Sequence, residues 1–245
     1  MGPTELLAVW EAGLAQRAAE RSLLLHRAAR PAATTDELLS VPVGEREADL
    51  FALRRALFGE RMQVRVECGA CGEAMEFDLD ASVLGARSAL PEGPLRVADG
   101  EWVVEFRLPT VADLAAAATA SRPDGARRRL VTGCTVLALR GGEPVAPEEL
   151  ASLLPERVEK LIAEKAAQAD PTADVTLDIA CPECGEATPA ELDITSYLWT
   201  ELDTWARDLM LDVHLLASAY GWSEPEILAL SPLRRRYYLE LCADV

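Results

Sequence analysis

Hydrophobic positions recur at helical spacing near both ends of the chain and at strand spacing in its middle. Leu7, Trp10, Leu14, Ala18 and Leu25 share one face of a predicted helix over 5–29, with Glu11, Arg17, Glu20 and Arg21 as its polar complement. Pro31 follows its expected end. Asp36 to Leu39 fits one short turn, and a second helix is expected over 45–57. There Leu50, Leu53, Ala56 and Leu57 face inward and Gly59 caps the C-terminus.

The period then changes to two. Val64 and Val66 alternate with Arg65 and Glu67, and Met75, Phe77 and Leu79 alternate with Glu76 and Asp78. Val175, Leu177 and Ile179, followed by Leu192 and Ile194, repeat the pattern later. Both places read as strand, tight turn, strand, and both turns continue as Cys-Gly-Glu-Ala. We read a local pseudo-repeat of two hairpins rather than a solenoid period.

Between them, Leu95, Val97, Trp102, Val104, Phe106 and Leu108 flank Asp99-Gly100, a strong hairpin signal. Thr110 with Asp113 resembles a capping box opening an Ala-rich helix to about Thr119. Arg122-Pro123-Asp124-Gly125 breaks it, and further helices are expected over 126–139, 147–153 and 156–168, before Asp170-Pro171. In the tail, Leu202, Trp205, Leu209, Val213, Leu216 and Tyr220 form one stripe of a helix over 197–219, which Gly221 ends. Ser223 caps a short helix, and Ser231-Pro232 opens the last, through Tyr237 and Leu241.

Half of the 245 residues are hydrophobic, enough for a substantial core. A formal charge of −17 argues against bulk attraction to nucleic acid or an anionic membrane. No stretch approaches the ~18 apolar residues of a membrane-spanning helix. Glu5 and Glu11 do not suit a signal peptide, and Leu6 stands where a myristoylation motif starting at Gly2 wants Ser or Thr. A soluble, cytoplasmic protein is expected. Lysine occurs only at Lys160 and Lys165; the arginines reflect either base composition or a taste for bidentate ion pairs.

The two turns are the chemical signal: Cys68-Gly69-Ala70-Cys71-Gly72 and Cys181-Pro182-Glu183-Cys184-Gly185. Four thiolates complete the tetrahedral set of one structural zinc ion, and a two-residue spacer lets both sulfurs of a pair reach it. The following glycine supplies the positive φ that aims backbone N–H groups at sulfur. Iron also occupies four thiolates. A thiol oxidoreductase would need one pair at a helix start beside a cationic group, and strand patterns flank both pairs instead. A nucleic-acid-binding zinc ribbon would show basic knuckles, whereas Glu67, Glu73, Glu183 and Glu186 surround these.

The remaining candidates point to structure rather than chemistry. Cys134 and Cys242 sit among apolar residues and read as buried or half-buried thiols. His26 and His214 fall on predicted helices, at a helix surface or core edge. No carboxylate spacing marks an acid/base pair, and Gly141-Gly142 lacks the Gly-Lys-Ser/Thr of a phosphate loop. The runs Arg127–Arg129 and Arg234–Arg236 read as ion-paired helix faces, or as docking points for an acidic partner. Trp199, Trp205, Tyr220, Trp222, Tyr237 and Tyr238 are mostly core by periodicity. No catalytic residue is assigned.

The fold expected is α+β and predominantly helical. Helical N- and C-terminal parts (1–62 and 196–245) surround a four-cysteine zinc-ribbon-like β element in two halves (63–80 and 172–195). That element carries an insert (81–171) of a β-hairpin followed by helices, in one integrated domain.

Taken together, several segments make the chain similar to the T4-type baseplate hub assembly chaperone and baseplate protein family of phage tail-like contractile injection systems. They are Trp10-Glu11-Ala12-Gly13 with Arg17, Val43-Gly44-Glu45-Arg46, Leu53-Arg54 through Phe58-Gly59, and both knuckles. Phe106-Arg107-Leu108-Pro109-Thr110, Asp170-Pro171 and Leu198-Trp199-Thr200-Glu201 continue the likeness. Ala219-Tyr220-Gly221-Trp222-Ser223-Glu224 and Ile227-Leu228-Ala229-Leu230-Ser231 close it. Glu47 departs from the pattern, where Asp is expected. The resemblance implies a non-enzymatic role in building a baseplate, with hub and spike proteins as partners. It implies no nucleic acid, membrane or small-molecule substrate.

Overall fold

The computed structural model describes residues 1–87 and 89–243. Ser88, inside the expected insert, and Asp244 and Val245, at the end of the expected C-terminal part, lie outside the described residues. The chain opens with α1 (Pro3–Leu14), α2 (Ala18–Ala29), α3 (Thr35–Ser40) and α4 (Val43–Phe58). The hairpin β1 (Arg61–Glu67) and β2 (Ala74–Asp80) follows, then α5 (Ala81–Leu84), β3 (Leu95–Asp99) and β4 (Trp102–Phe106). Next come α6 (Val111–Ala117), α7 (Pro123–Cys134), β5 (Thr135–Arg140), β6 (Glu143–Pro144), α8 (Pro147–Leu153) and α9 (Glu156–Ala169). The second hairpin is β7 (Thr176–Ala180) and β8 (Ala187–Glu191), and α10 (Ile194–Tyr220), α11 (Glu224–Leu228) and α12 (Pro232–Ala243) end the chain. The fold is mixed α+β with small sheets, and it divides into two units: Met1–Leu25 with Thr195–Val245, and His26–Ile194.

In the unit His26–Ile194, one antiparallel sheet of order β3-β4-β5-β6 carries a hydrophobic core of its own. Trp102, Val104 and Phe106 alternate along β4 and are all buried, against Val131 of α7, Leu150 of α8 and Val158 and Ile162 of α9. Each such side chain contributes roughly 1.5–3 kcal/mol. The β3–β4 hairpin closes on the pair Asp99↔Trp102, with positive φ at Gly100. The helix expected over 126–139 stops at Cys134. Thr135 to Arg140 form β5 instead, pairing along β4, because the buried strand has a second edge to satisfy and Thr135 and Val136 are β-branched.

The N-terminus of α4 is tied down by distant groups. Its flanking Pro42 has no side chain that can cap. Val43 N–H donates to Pro109 O at 3.0 Å, and Gly44 N–H donates to Asp170 Oδ2 at 2.9 Å. Asp170 is buried, and it takes the place of the missing local cap across 126 residues of sequence. A Cβ on Gly44 would stand 1.8 Å from Asp170 Oδ1, so only glycine admits this approach.

The buried face of α4 is more polar than its sequence suggests. Leu50 and Phe51 are buried as hydrophobic residues, but Glu47, Asp49 and Arg54 are buried beside them, whereas Ala56 is exposed. Asp49 meets Arg30, Arg87 and His26 Nε2, the last at 3.2 Å. Burial pushes the Asp49 carboxyl up, and these partners outweigh it and hold it below its usual range. His26 is fully buried, not at a helix surface; His214 is exposed. Arg54 donates to Gly59 O at 2.8 Å beyond the helix end, where Gly59 takes φ 87°.

A strap at 107–113 fixes the next corner. Thr110 and Asp113 form the expected capping box, and the Arg107 guanidinium holds Asp113 while donating to Gly133 O at 3.1 Å. Burial pushes the Asp113 carboxyl up, but Arg107 and Thr110 dominate and bring it to about 2.

In the unit of Met1–Leu25 with Thr195–Val245, the single helix expected over 5–29 is two. Arg21 Nε donates to Gly13 O at 2.9 Å and caps the end of α1, while Glu20 accepts from Arg17 N–H at 2.9 Å and opens α2. Trp10 Nε1 donates to Asp203 at 2.8 Å, and Gly13 lies so close to the Trp199 ring that a Cβ would approach it to 2.4 Å. Leu202, Leu209, Val213 and Leu216 are buried along α10, as their spacing predicts. The aromatic residues of the tail lie at the edge of the core, with Trp205, Trp222 and Tyr238 packed against its buried residues. Trp199, Trp205, Trp222 and Tyr238 are half-buried, and Tyr220 and Tyr237 are exposed. Tyr220 stacks on Trp222 at 4.7 Å, and Tyr238 meets both edge-on. Ile194, expected at the end of a strand, is buried as the first residue of α10.

Two substitutions test these contacts. Gly44→Ala must expel Asp170 and lose its hydrogen bond, so urea unfolding should show a loss of about 2–4 kcal/mol at unchanged m value. Gly93→Ala, at ordinary φ with open space around it, should stay within about 0.5 kcal/mol. Asp113 has a lowered pKa in the folded state, so its contribution is present above the unfolded carboxyl value of ~3.9 and is lost as pH falls towards about 2. The unfolding midpoints of wild type and Asp113→Asn should therefore differ most near neutrality and converge at the acid end.

Candidate metal centre

Each cysteine pair sits in a six-residue turn between two strands. The last ladder pair of the first hairpin is Glu67↔Ala74, and that of the second is Ala180↔Ala187. The two turns fold alike. Cys68 N–H donates to Glu73 O at 2.8 Å and Cys181 N–H to Glu186 O at 2.9 Å. Gly72 N–H donates to Cys68 O and Gly185 N–H to Cys181 O, both at 2.9 Å, and both glycines have φ 75°. Pro182 fills the place of Gly69 without altering the turn, because the N–H that proline lacks is not among the turn's backbone hydrogen bonds.

The turns bring all four sulfurs within 4.8 Å of one another. Cys68 Sγ lies 3.6 Å from Cys184 Sγ, and Cys71 Sγ lies 3.6 Å from Cys181 Sγ. Four sulfurs at ~2.3 Å from a common tetrahedral centre would be roughly 3.8 Å apart, so the cluster has the size of a tetrathiolate site. Cys68 and Cys181 are buried, with Met75, Val66 and Ile179 packed around them, and Cys71 and Cys184 are exposed. The strands β1-β2 and β7-β8 form separate two-stranded sheets, and the sulfurs meet between them.

Cys68, Cys71 and Cys184 do not titrate alike. The N–H groups of Cys71 and Ala70, with Thr188 Oγ1 at 3.8 Å, stabilise a thiolate on Cys68 and bring it to about 6. The Glu73 N–H favours a thiolate on Cys71, but Cys184, burial and the other sulfurs outweigh it and push Cys71 up to about 12. Cys184 is raised as well. One negative charge is therefore easy to place and further ones repel it; a bound cation removes that conflict. The backbone N–H groups aimed at sulfur are the support such a site needs.

The other sequence candidates lie apart from this cluster. Cys134 is buried and its thiol is pushed up to about 11, chiefly by burial. Arg127 and Arg128 reach buried Glu159 at 3.6 and 3.9 Å. Arg235 is buried on Asp212 at 3.0 Å, so the run Arg234–Arg236 is not one exposed face. Sequence reasoning missed the group around Asp49. Its members lie on separate segments, and no local spacing joins His26, Arg30, Asp49 and Arg87.

Two short hairpins meeting at four sulfurs, within an α+β body, form a cluster of the kind that could hold a metal ion. The chain belongs to the T4 bacteriophage base plate protein family, whose model matches residues 27–196. That stretch coincides closely with the unit His26–Ile194. Neither the curated proteins nor the solved structures compared with the chain gave a match. Family membership assigns a baseplate-type structural role. No helix among the described residues is long and apolar enough to cross a membrane.

Proposed function

We propose that this protein is a non-enzymatic component or assembly chaperone of the baseplate hub in a contractile, phage tail-like injection system. The observation that carries the reading is the family match over 27–196, which includes the whole four-cysteine cluster. In this reading Cys68, Cys71, Cys181 and Cys184 hold one structural zinc ion, and the segments 63–80 and 172–195 act as a zinc-ribbon-like clasp at the base of the 81–171 insert. With every ligand position taken by protein, such an ion has no place for a reacting water, and its role is to stabilise the fold. The protein acts by binding hub and spike proteins in the cytoplasm or in the particle, through an acidic surface.

A redox reading has one feature in its favour, the low Cys68 thiol. Against it, the close sulfur contacts at 3.6 Å join the two hairpins, whereas an oxidoreductase pair lies within one Cys-x-x-Cys motif. A nucleic-acid reading meets acidic knuckles and a charge of −17.

Elemental analysis of the purified protein should find close to one equivalent of zinc, lost in Cys184→Ser together with thermal stability. Less than about half an equivalent, with all four thiols freely titratable, overturns the zinc assignment, and stoichiometric iron replaces it. Native pull-down should recover tube, hub or spike proteins. Presence in sedimented particles makes the protein a component, and confinement to lighter fractions makes it a chaperone. Absence of every such partner overturns the baseplate-hub reading.

A further inference from the structure

The last helix is apolar on two opposite faces. One face, with Arg235, Tyr238, Leu239 and Cys242, packs inside its own unit, and Arg235 is fixed there by Asp212 at 3.0 Å. The other face carries Leu233, Tyr237 and Leu241 at i, i+4 and i+8, with exposures of 65%, 61% and 58%. Such a row is a single ridge of the kind that packs into the groove of another helix. A helix apolar on both sides is normally covered on both. Arg234 flanks the exposed ridge on one side, and Arg236 on the other is paired with Glu240 at 3.0 Å, so Arg234 is the cation that calls for a carboxylate beside the occupant's apolar side chains.

That complement exists on the same unit. On α10, Leu211 and Leu215 are 56% and 44% exposed, and exposed Asp208 lies on their face at i, i+3 and i+7. The outer ridge of α12 cannot turn back onto its own α10, because the opposite face of α12 is already seated there through Arg235 and Asp212. A second chain meets no such constraint. We propose that this protein forms a two-fold homodimer in which the α12 ridge of each chain packs on the Leu211/Leu215 face of its partner's α10, with Arg234 opposite Asp208 of the other chain. The pairing is isologous, so each chain contributes both surfaces and the assembly closes at two. It involves only residues outside the 27–196 stretch that the family shares, and it stands whether or not the hub reading does.

Sedimentation equilibrium of the full chain, at concentrations up to about 100 µM, reads the outcome. The expected result is a dimer whose dissociation constant rises at least about 30-fold in Tyr237→Glu, with unchanged far-UV circular dichroism, and unchanged melting at concentrations where both proteins are monomers. Arg234→Glu and Asp208→Arg should each be monomeric alone, since each places like charges opposite one another twice. An equimolar mixture of the two should form heterodimers, because both contacts are then complementary, and rescue of this kind separates a direct contact from damage to the fold. A wild-type monomer throughout the range, an oligomer that survives Tyr237→Glu, or failure of the mixture to associate overturns the proposal.

Discussion

Four sulfur atoms within 4.8 Å of one another impose the constraint on which the centre of this protein turns. A lone two-stranded hairpin is marginal in water, and here two of them are separate sheets. What joins them is the sulfur cluster and the small apolar group of Val66, Met75 and Ile179 behind it. Thiols crowded this closely favour one charge and oppose the next, as the opposite shifts of Cys68 and Cys71 express. A cation bound among them would relieve that conflict. In a family of structural proteins, such a junction serves to set the geometry of what surrounds it.

A second long-range tie works through a buried carboxyl and a backbone N–H. Asp170 reaches α4 by one hydrogen bond, and Gly44 makes room for it. The same helix carries Asp49, gripped by Arg30, Arg87 and His26. Buried charges of this kind contribute little net stability against an apolar alternative, but losing one partner leaves the other stranded at considerable cost. The polar face of α4 therefore specifies how the segments around 26–30, 87 and 170 come together, more than it adds to the overall free energy.

The sequence made local features legible. The two knuckles, the Asp-Gly hairpin, the capping box at Thr110 and Asp113 and the α10 stripe follow from short-range spacing, and the structure has them all. It misled where a distant partner decides. Residues 135–140 alternate poorly and follow a helix, yet β4 draws them into a strand. The break at 15–17 depends on Arg21 and Glu20 reaching back to cap two helix ends, which an apolar period does not register. The inward face of α4 is only partly the apolar one that spacing predicts, because Glu47, Asp49 and Arg54 are buried beside Leu50 by partners that no local pattern reveals. Within the candidate centre, the convergence of the four cysteines was legible from their spacing, while the unequal acidity of Cys68 and Cys71 came only from the N–H groups and neighbouring sulfurs that each one meets.

The division of the chain also sets an order of events during synthesis. The unit His26–Ile194 is continuous, so all of it can leave the ribosome and fold while the tail is still being made. The unit built from Met1–Leu25 and Thr195–Val245 cannot, because its first helix must wait for α10. The N-terminal segment, with Leu6 and Leu7 destined for burial, therefore spends most of translation without its partner. The body that matches the family is complete before the unit that carries α12 exists, and a nascent chain stalled late would carry the former without the latter.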